Sequence, residues 1–473
     1  MRHRVSPNGD VTTERTEPIA ADARPHADGA GRARFKLLAG LLGVNFDDLW
    51  RRERRRRIHR AIEFVTVLSC ASLIGAATWH WQSESQRRHM AIAHYIEQGR
   101  KEIDAGHRLT AAAYLAKARR LGDKSTTLET LLRESSKALV EPITILKGGH
   151  SDWVTFAKFA DADHVVSASW DKTIRVWDLK SGGSKLFATE ADKVATVNLS
   201  PDGERFVSAV WNGKANLWSR EGVLLGKLDH GPRVNWAEFS PDGSRVVTAC
   251  DDSLARIWAL DANTARCVTL QGHEGFVKTA AFDQSGRRVL TASFDCTAKI
   301  WDATNGQRLL TLAPHPDGVN SAAFSPDGKF VATGCLDGSI WIWDTGKIDK
   351  NGRVHPPQVF ARHVGGSKPR VNSVVFNGDG SRLLSTSDDN TAKIWDVHTG
   401  ELLLSFEQHE NIVVHGAFSP DGHRVVTASK DKTAMVFDAD PKTRTVAEIV
   451  ALAEKLNPQL GPAENKLSNI AAK

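Results

Sequence analysis

The sequence predicts an all-β fold, a seven-bladed β-propeller, preceded by one transmembrane helix and a short α-helical neck. Three observations predict it. A Trp or Phe recurs seven times in the C-terminal part, at Trp177, Trp218, Trp258, Trp301, Trp343, Trp395 and Phe437, with spacings of 41, 40, 43, 42, 52 and 42. A 21-residue apolar run, Ala61 to Trp81, follows ten residues that carry seven Arg. Between the two, residues 85–140 adopt helical periodicity. Composition agrees with a folded chain: of 473 residues 41% are hydrophobic and 25% charged, which excludes a collagen, a disulfide scaffold and a polytopic membrane protein.

The first segment, 1–50, is polar and without periodicity up to residue 31, and reads as disordered. Phe35 to Trp50 is a short amphipathic helix. Segment 51–60 holds Arg51, Arg52, Arg54, Arg55, Arg56, Arg57 and Arg60 against Glu53. Residues 1–50 carry seven charges of each sign and residues 61–473 carry 48 of each, so the net charge of +6 comes from this decapeptide alone. Residues 61–81 then suffice to cross a bilayer core as a helix. Trp79 and Trp81 stand at its far end, where indoles favour the headgroup interface. Cations concentrate on the cytoplasmic flank of a span, so the N-terminus is expected in the cytoplasm and the C-terminal part outside it. A buried soluble helix, a cleaved signal peptide and a nuclear or nucleic-acid patch are the competing readings. Thr66, Ser69, Cys70 and Ser72 make the run only moderately apolar, which leaves the first open. An n-region of 60 residues is far too long for the second. The adjacent span explains the Arg run more economically than the third.

In the neck, 85–140, Ile92, Ile96 and Ile103 share one helical face. Asp104-Ala-Gly106 interrupts it. A second, Ala-rich helix runs from Leu109 to Leu121 and stops at Gly122. A third, capped by Ser125 or Thr126, reaches about Val140. The first pair is similar to one tetratricopeptide hairpin, which cannot bury a stable core alone. A rigid spacer is the expected role.

Segment 143–440 repeats its chemistry in register. Six residues before each Trp or Phe stands Asp171, Asn212, Asp252, Asp295, Asp337, Asp389 or Asp431. Four residues earlier stands Ser167, Ser208, Thr248, Thr291, Thr333, Ser385 or Thr427. Upstream lies His150, His230, His273, His315, His363 or His409, with none in the second repeat. SPDG turns at Ser200, Ser240, Ser325 and Ser419 separate alternating apolar runs, as hairpins require. An insert of about ten residues lies between Gly346 and Lys368.

This period and these residues resemble the WD40-repeat family. The resemblance implies a buried network of Asp, His, Ser/Thr and Trp in each blade. Blade one would use His150, Ser167, Asp171 and Trp177, and blade four His273, Thr291, Asp295 and Trp301. Asp would accept from the His N–H, His would reach the hydroxyl, and the hydroxyl would accept from the indole. Phe437 cannot donate, and Asn212 without a His makes blade two the most degenerate. Ile143 to Leu146 is an extra strand whose pairing into blade seven would close the ring. Segment 441–473 is a short amphipathic helix, residues 444–456, and a loose tail after Pro458.

No enzymatic activity is expected. A Ser-His-Asp set that recurs in register is structural, since a catalytic triad occurs once and needs a cleft and an oxyanion hole. No P-loop, G-x-S-x-G, H-E-x-x-H or clustered Cys pair is present, so no metal, cofactor or small-molecule substrate is expected. The five Cys predict no disulfide, Cys250 and Cys335 holding equivalent strand ends in different blades. Two positions per blade should reach the loop face of the propeller, and Trp153, Trp170, Trp211, Arg233, Phe276, Phe294 and Arg370 occupy seven of them. Aromatics with Arg beside them fit an interaction hot spot. The expectation is a membrane-anchored scaffold or sensor that binds a protein or peptide on that face. A nucleic-acid-associated scaffold using the Arg run is the alternative, although no nucleic-acid partner is expected. The layout also resembles the membrane-anchored C-terminal half of bacterial multidomain WD40 signalling proteins, which implies an inner-membrane protein with a periplasmic propeller.

Overall fold

The computed structural model describes residues 4–5, 11–12, 29–138, 140–260, 267–347, 359–364, 369–442 and 444–456. The segment expected to be disordered, most of the insert between Gly346 and Lys368, and the tail after Pro458 fall largely or wholly outside the described residues. The chain divides into two units, 1–89 and 90–473.

In the first unit, helix α1 (Gly29–Leu42) is followed by α2 (Phe46–Asp104), whose C-terminal part belongs to the second unit. The single amphipathic helix expected over Phe35 to Trp50 is therefore two helical pieces. Gly43 takes a left-handed φ of 65°, which glycine adopts without a steric cost, and the Asn45 side chain accepts from Asp47 N at 3.0 Å to start the next helix. The two pieces pack through Phe35 and Trp50, 5.6 Å apart, with Arg32 5.8 Å from the Phe46 ring. The side chains of residues 61–81 are all exposed. The polar stretch 82–88 does not end the helix, because it contains neither Gly nor Pro.

In the second unit the end of α2 joins α3 (Arg108–Arg120), α4 (Thr126–Ser135) and α5 (Val446–Leu456). Ser125 caps α4, its hydroxyl accepting from Leu128 N at 3.2 Å. Tyr95, Leu115, Leu128 and Leu132 are buried together with Ile449 and Ala453 of α5. A hairpin too small to hold itself is thus completed by a helix from beyond the propeller. α5 starts with a reciprocal cap between Thr445 and Glu448. Gly99 allows α2 and α3 to approach, since a Cβ there would lie 2.6 Å from Leu115 Cδ2. The neck docks on blade six through Glu407. Its carboxylate accepts from Arg108 N at 3.2 Å and Leu109 N at 2.7 Å, where the unpaired N–H groups of α3 favour an anion. Burial raises the Glu407 pKa against those bonds.

The propeller consists of seven four-stranded antiparallel sheets, over residues 154–189, 194–229, 234–270, 277–312, 319–362, 371–406 and 413–438. The seventh blade has only three strands of its own. Its fourth is Pro142–Leu146, paired with Ala434–Asp438 in the register Leu146 to Ala434 and Thr144 to Val436. Each innermost strand opens on a buried Val, from Val154 in blade one to Val413 in blade seven. Second strands such as Arg288–Ser293 are buried over their last five residues, because neighbouring blades cover both faces.

Adjacent blades are also latched by an arginine. In the turns, the Ser200 hydroxyl accepts from Arg205 N at 2.9 Å, and Ser240 and Ser419 repeat the bond with Arg245 and Arg424. The arginine so placed reaches the next blade. Arg205, Arg245, Arg288 and Arg382 donate to the carbonyls of Gly243, Gly286, Gly328 and Gly422 at 2.9, 2.6, 2.8 and 2.9 Å. Each guanidinium also lies over that blade's Phe, as Arg288 does over Phe324 at 5.0 Å. Arg424 carries the pattern from blade seven to Ala162 and Phe159 of blade one.

Leu146 is fully buried in the closing strand. Leu146→Ala is expected to lower the unfolding free energy by about 2–5 kcal/mol, read from the urea midpoint.

Candidate functional site

Blade interiors carry the hydrogen-bonded sets. In blade one His150 Nδ1 donates to Asp171 at 2.9 Å, the Ser167 hydroxyl meets His150 Nε2 at 2.7 Å, and Trp177 Nε1 donates to that hydroxyl at 2.7 Å. In blade four the distances from His273 to Asp295 and Thr291, and from Trp301 to Thr291, are 2.7, 2.7 and 2.8 Å. His363 and His409 make the same pair of contacts in blades six and seven. Burial alone would raise the carboxyls of Asp171 and Asp295. Hydrogen bonds from the histidine and from Thr173 or Thr297 overcome it and hold both well below the ordinary value.

One propeller face presents a run of aromatics and cations. In every blade the two loop positions considered above are joined by a backbone bond, such as Trp170 N to Trp153 O, Trp211 N to Lys193 O and Asp388 N to Arg370 O, each 3.0 Å. Trp153 and Trp170 stack with centroids 4.0 Å apart, and Trp170 meets Trp211 edge-on at 4.7 Å. Lys430 lies 4.2 Å over Trp153, Lys193 3.8 Å over Trp170, and Arg233 4.5 Å over Trp211. Cations thus flank the indoles from blade seven to blade three, with Trp153 and Trp170 stacked on each other between Lys430 and Lys193. Phe276 and Phe294 form a separate exposed pair on blade four, 6.4 Å apart. Arg370 is exposed on blade six and is not part of the run.

The three indoles form one wall of a funnel of about 290 Å³ at the channel mouth. Its floor is Phe156, Trp236 and His415, from blades one, three and seven. Phe156 stacks on His415 at 4.0 Å and meets Trp236 edge-on at 5.8 Å. His415 Nδ1 donates to Ala157 O at 3.1 Å, and burial lowers its pKa to about 3. At the equivalent position Thr196, Thr279 and Ser321 accept from a backbone N–H of the next blade. Sequence reading missed this floor. Its signal is an aromatic at Phe156, Trp236 and His415 where the other four blades have Ser or Thr.

The family described as WD domain, G-beta repeat matches residues 140–178, 222–259, 265–302, 306–344, 355–396 and 400–438. The chain is a WD40-repeat protein. It is 35% identical over 103 residues to the small ribosomal subunit protein RACK1 of Caenorhabditis elegans, covering 20% of this chain and 31% of that protein. Against RACK1 of Drosophila melanogaster it is 34% identical over 97 residues, covering 20% of this chain and 30% of that protein. The alignments thus span under a third of these relatives.

The six WD40 matches leave out most of blade two, which the structure shows as a full four-stranded blade. Its network is not simply lost. Glu190 replaces the histidine, accepting from the Ser208 hydroxyl at 2.5 Å and from Asn216 Nδ2 at 2.6 Å, while Trp218 Nε1 donates to Ser208 at 3.0 Å. Burial raises the Glu190 pKa against those bonds. Two blades with the full residue set are rewired instead. In blade three Arg256 pairs with Asp252 at 2.6 Å and donates to His230 Nδ1 at 2.9 Å, and His230 Nε2 is buried without a partner among the described residues. In blade five His315 Nδ1 donates to Cys296 O at 3.1 Å rather than to Asp337. WD40 propellers are protein-interaction scaffolds, and these sets serve the scaffold.

Desolvation, reinforced for His230 by Arg256, lowers the pKa of His230 and His315 to about 4 from 6.5. A histidine held neutral by the fold takes up its proton on unfolding, so its stabilisation is complete above the unfolded value and is lost as pH falls from 6.5 through the folded value. The urea midpoint is expected to fall steadily from pH 6.5 to pH 4, and His315→Gln is expected to flatten that slope; an unchanged slope would count against the assignment. Trp301→Phe, which leaves the Thr291 hydroxyl without its donor, is expected to cost about 1–3 kcal/mol in the same measurement.

Proposed function

We propose that this WD40 protein is a membrane-anchored, non-catalytic scaffold or sensor that binds a protein or peptide on the face bearing Trp153, Trp170 and Trp211. The observation that carries the reading is the run of three indoles flanked by Lys430, Lys193 and Arg233. Rigid amphipathic rings held in place by cations give large contact area at little entropic cost, as binding hot spots do. Phe276, Phe294 and Arg370 extend the same face on blades four and six. Anchoring rests on residues 61–81. Helix α2 is long and apolar enough there to cross a bilayer, and no side chain in the stretch is buried. The seven Arg before it set the N-terminus on the cytoplasmic side. The propeller is then on the non-cytoplasmic side, the periplasm of a bacterial inner membrane.

Resistance of the intact protein to alkaline carbonate extraction is the expected result, and release into the soluble fraction would count against the anchor. Protease added from outside is expected to reach the propeller, whereas protection would reverse the orientation. A partner that co-purifies with the intact membrane protein is expected to lose at least about tenfold in affinity with Trp170→Ala combined with Trp211→Ala, because hot-spot truncations cost about 2 kcal/mol or more. Unchanged affinity would move the binding face elsewhere.

A further inference from the structure

One residue after the first buried Val, four blades carry a side chain that hydrogen-bonds a backbone carbonyl of the next blade, whereas Ala195 and Val414 of blades two and seven have no polar side-chain atom to do so. In blades three, five and six it is Asn. Asn235, Asn320 and Asn372 donate to the carbonyls of Val277, Val371 and Val413 at 2.9, 3.1 and 3.0 Å. Thr155 of blade one makes the same bond to Val194 O at 2.8 Å. Blade four breaks the pattern with Lys278, which makes no such bond among the described residues. Its ammonium reaches one acceptor, Asn235 Oδ1 at 3.2 Å, and lies 5.4 Å from the Phe294 ring. It forms no ion pair among the described residues. Asp251 is tied to the same amide, through Asn235 Nδ2 at 2.8 Å, and stands off from the ammonium. Desolvation lowers the Lys278 pKa, Asp251 opposes that and Arg233 adds to it. Blade four thus places a half-buried cation where four other blades hold an interblade hydrogen bond. A scaffold does not need that cation, and a cation so placed attracts an anion. Trp170, Trp211 and Ile412 supply apolar surface elsewhere in the lining, which also holds Lys430 and Asp388.

We propose that the funnel binds a peptide carboxylate flanked by an apolar side chain, with the carboxylate on Lys278 and the apolar group against Trp170, Trp211 and Ile412. This rests on the reading of that face as the partner-binding face, and it names the chemistry the face selects. The carboxylate is either an Asp or Glu side chain or a free C-terminus.

The test is selection of a displayed random peptide library on the full chain in detergent. The strongest binder is then resynthesised with each Asp or Glu changed to its amide and, separately, with an amidated C-terminus. One of these changes is expected to weaken binding at least about tenfold, as loss of a charge-assisted bond does. The peptide series shows which source supplies the carboxylate. Lys278→Asn is the matching variant. It installs the residue that three other blades already hold, so it is expected to fold. It should lose the same factor and become insensitive to neutralisation of the peptide, while Lys278→Arg retains most of the affinity. Binders that need Trp170 but are indifferent to Lys278→Asn, or that carry no required carboxylate, overturn this inference and leave the binding face standing. A selection that yields no binder dependent on Trp170 overturns both.

Discussion

The ring must close, and one strand closes it. Six blades are built from consecutive chain, but the seventh takes its outer strand, Pro142–Leu146, from before blade one. Without that pairing the seventh sheet would keep an open edge, and only the packing between blades, the His415 bond to Ala157 and the Arg424 latch would hold the last blade to the first. The arginine latch runs from blades two, three, four and six to the next blade's glycine carbonyl and from Arg424 of blade seven to blade one. The Thr155 hydroxyl and the Asn amides of blades three, five and six add bonds to a carbonyl of the next blade at the channel mouth. Such bonds are individually modest, but a ring allows none of them to be lost by fraying, because no blade is terminal.

Polar chemistry inside the blades tolerates more change than the geometry does. The site beneath each Trp must satisfy the indole N–H and the Ser or Thr hydroxyl, since both are buried. A histidine oriented by an Asp does this in blades one, four and six. Glu190 does it in blade two as an acceptor, and in blade three the hydroxyl of Thr248 still receives the indole while Arg256 diverts the histidine. The constant requirement is an acceptor for the indole. The identity of the group behind it drifts, and that drift makes the family match fade over blade two.

Much of this was legible in the residues. The seven-fold register of hydroxyl, turn Asp or Asn, and Trp or Phe gave the blade number, and the extra strand before blade one gave the means of closure. Glu190 escaped because the search was for a histidine. Its position held the information, since it stands 28 residues before Trp218, the separation of His230 from Trp258 and of His273 from Trp301. The latch arginines, five residues after a turn residue such as Ser200 or Ser240, were equally regular, but their role depends on a neighbour some forty residues away. The completion of the neck by α5 could not be read from local pattern. Periodicity shows that residues 444–456 have an apolar face, and only the circular path of the chain shows that the ring returns that face to α3 and α4.

The closing strand also imposes an order on synthesis. Residues 142–146 emerge from the ribosome before any blade exists, and their partner, Ala434–Asp438, emerges after all the others. Through most of translation that strand has no partner, while the six blades that follow it in the chain are made. Long-range pairing of this kind is slow and leaves sticky intermediates exposed. The helical neck, ahead of that strand in the chain, is itself incomplete until α5 follows. The first and last pieces of the second unit therefore mature together, in the final moments of production, and a chain released early would have neither a clasp nor a neck.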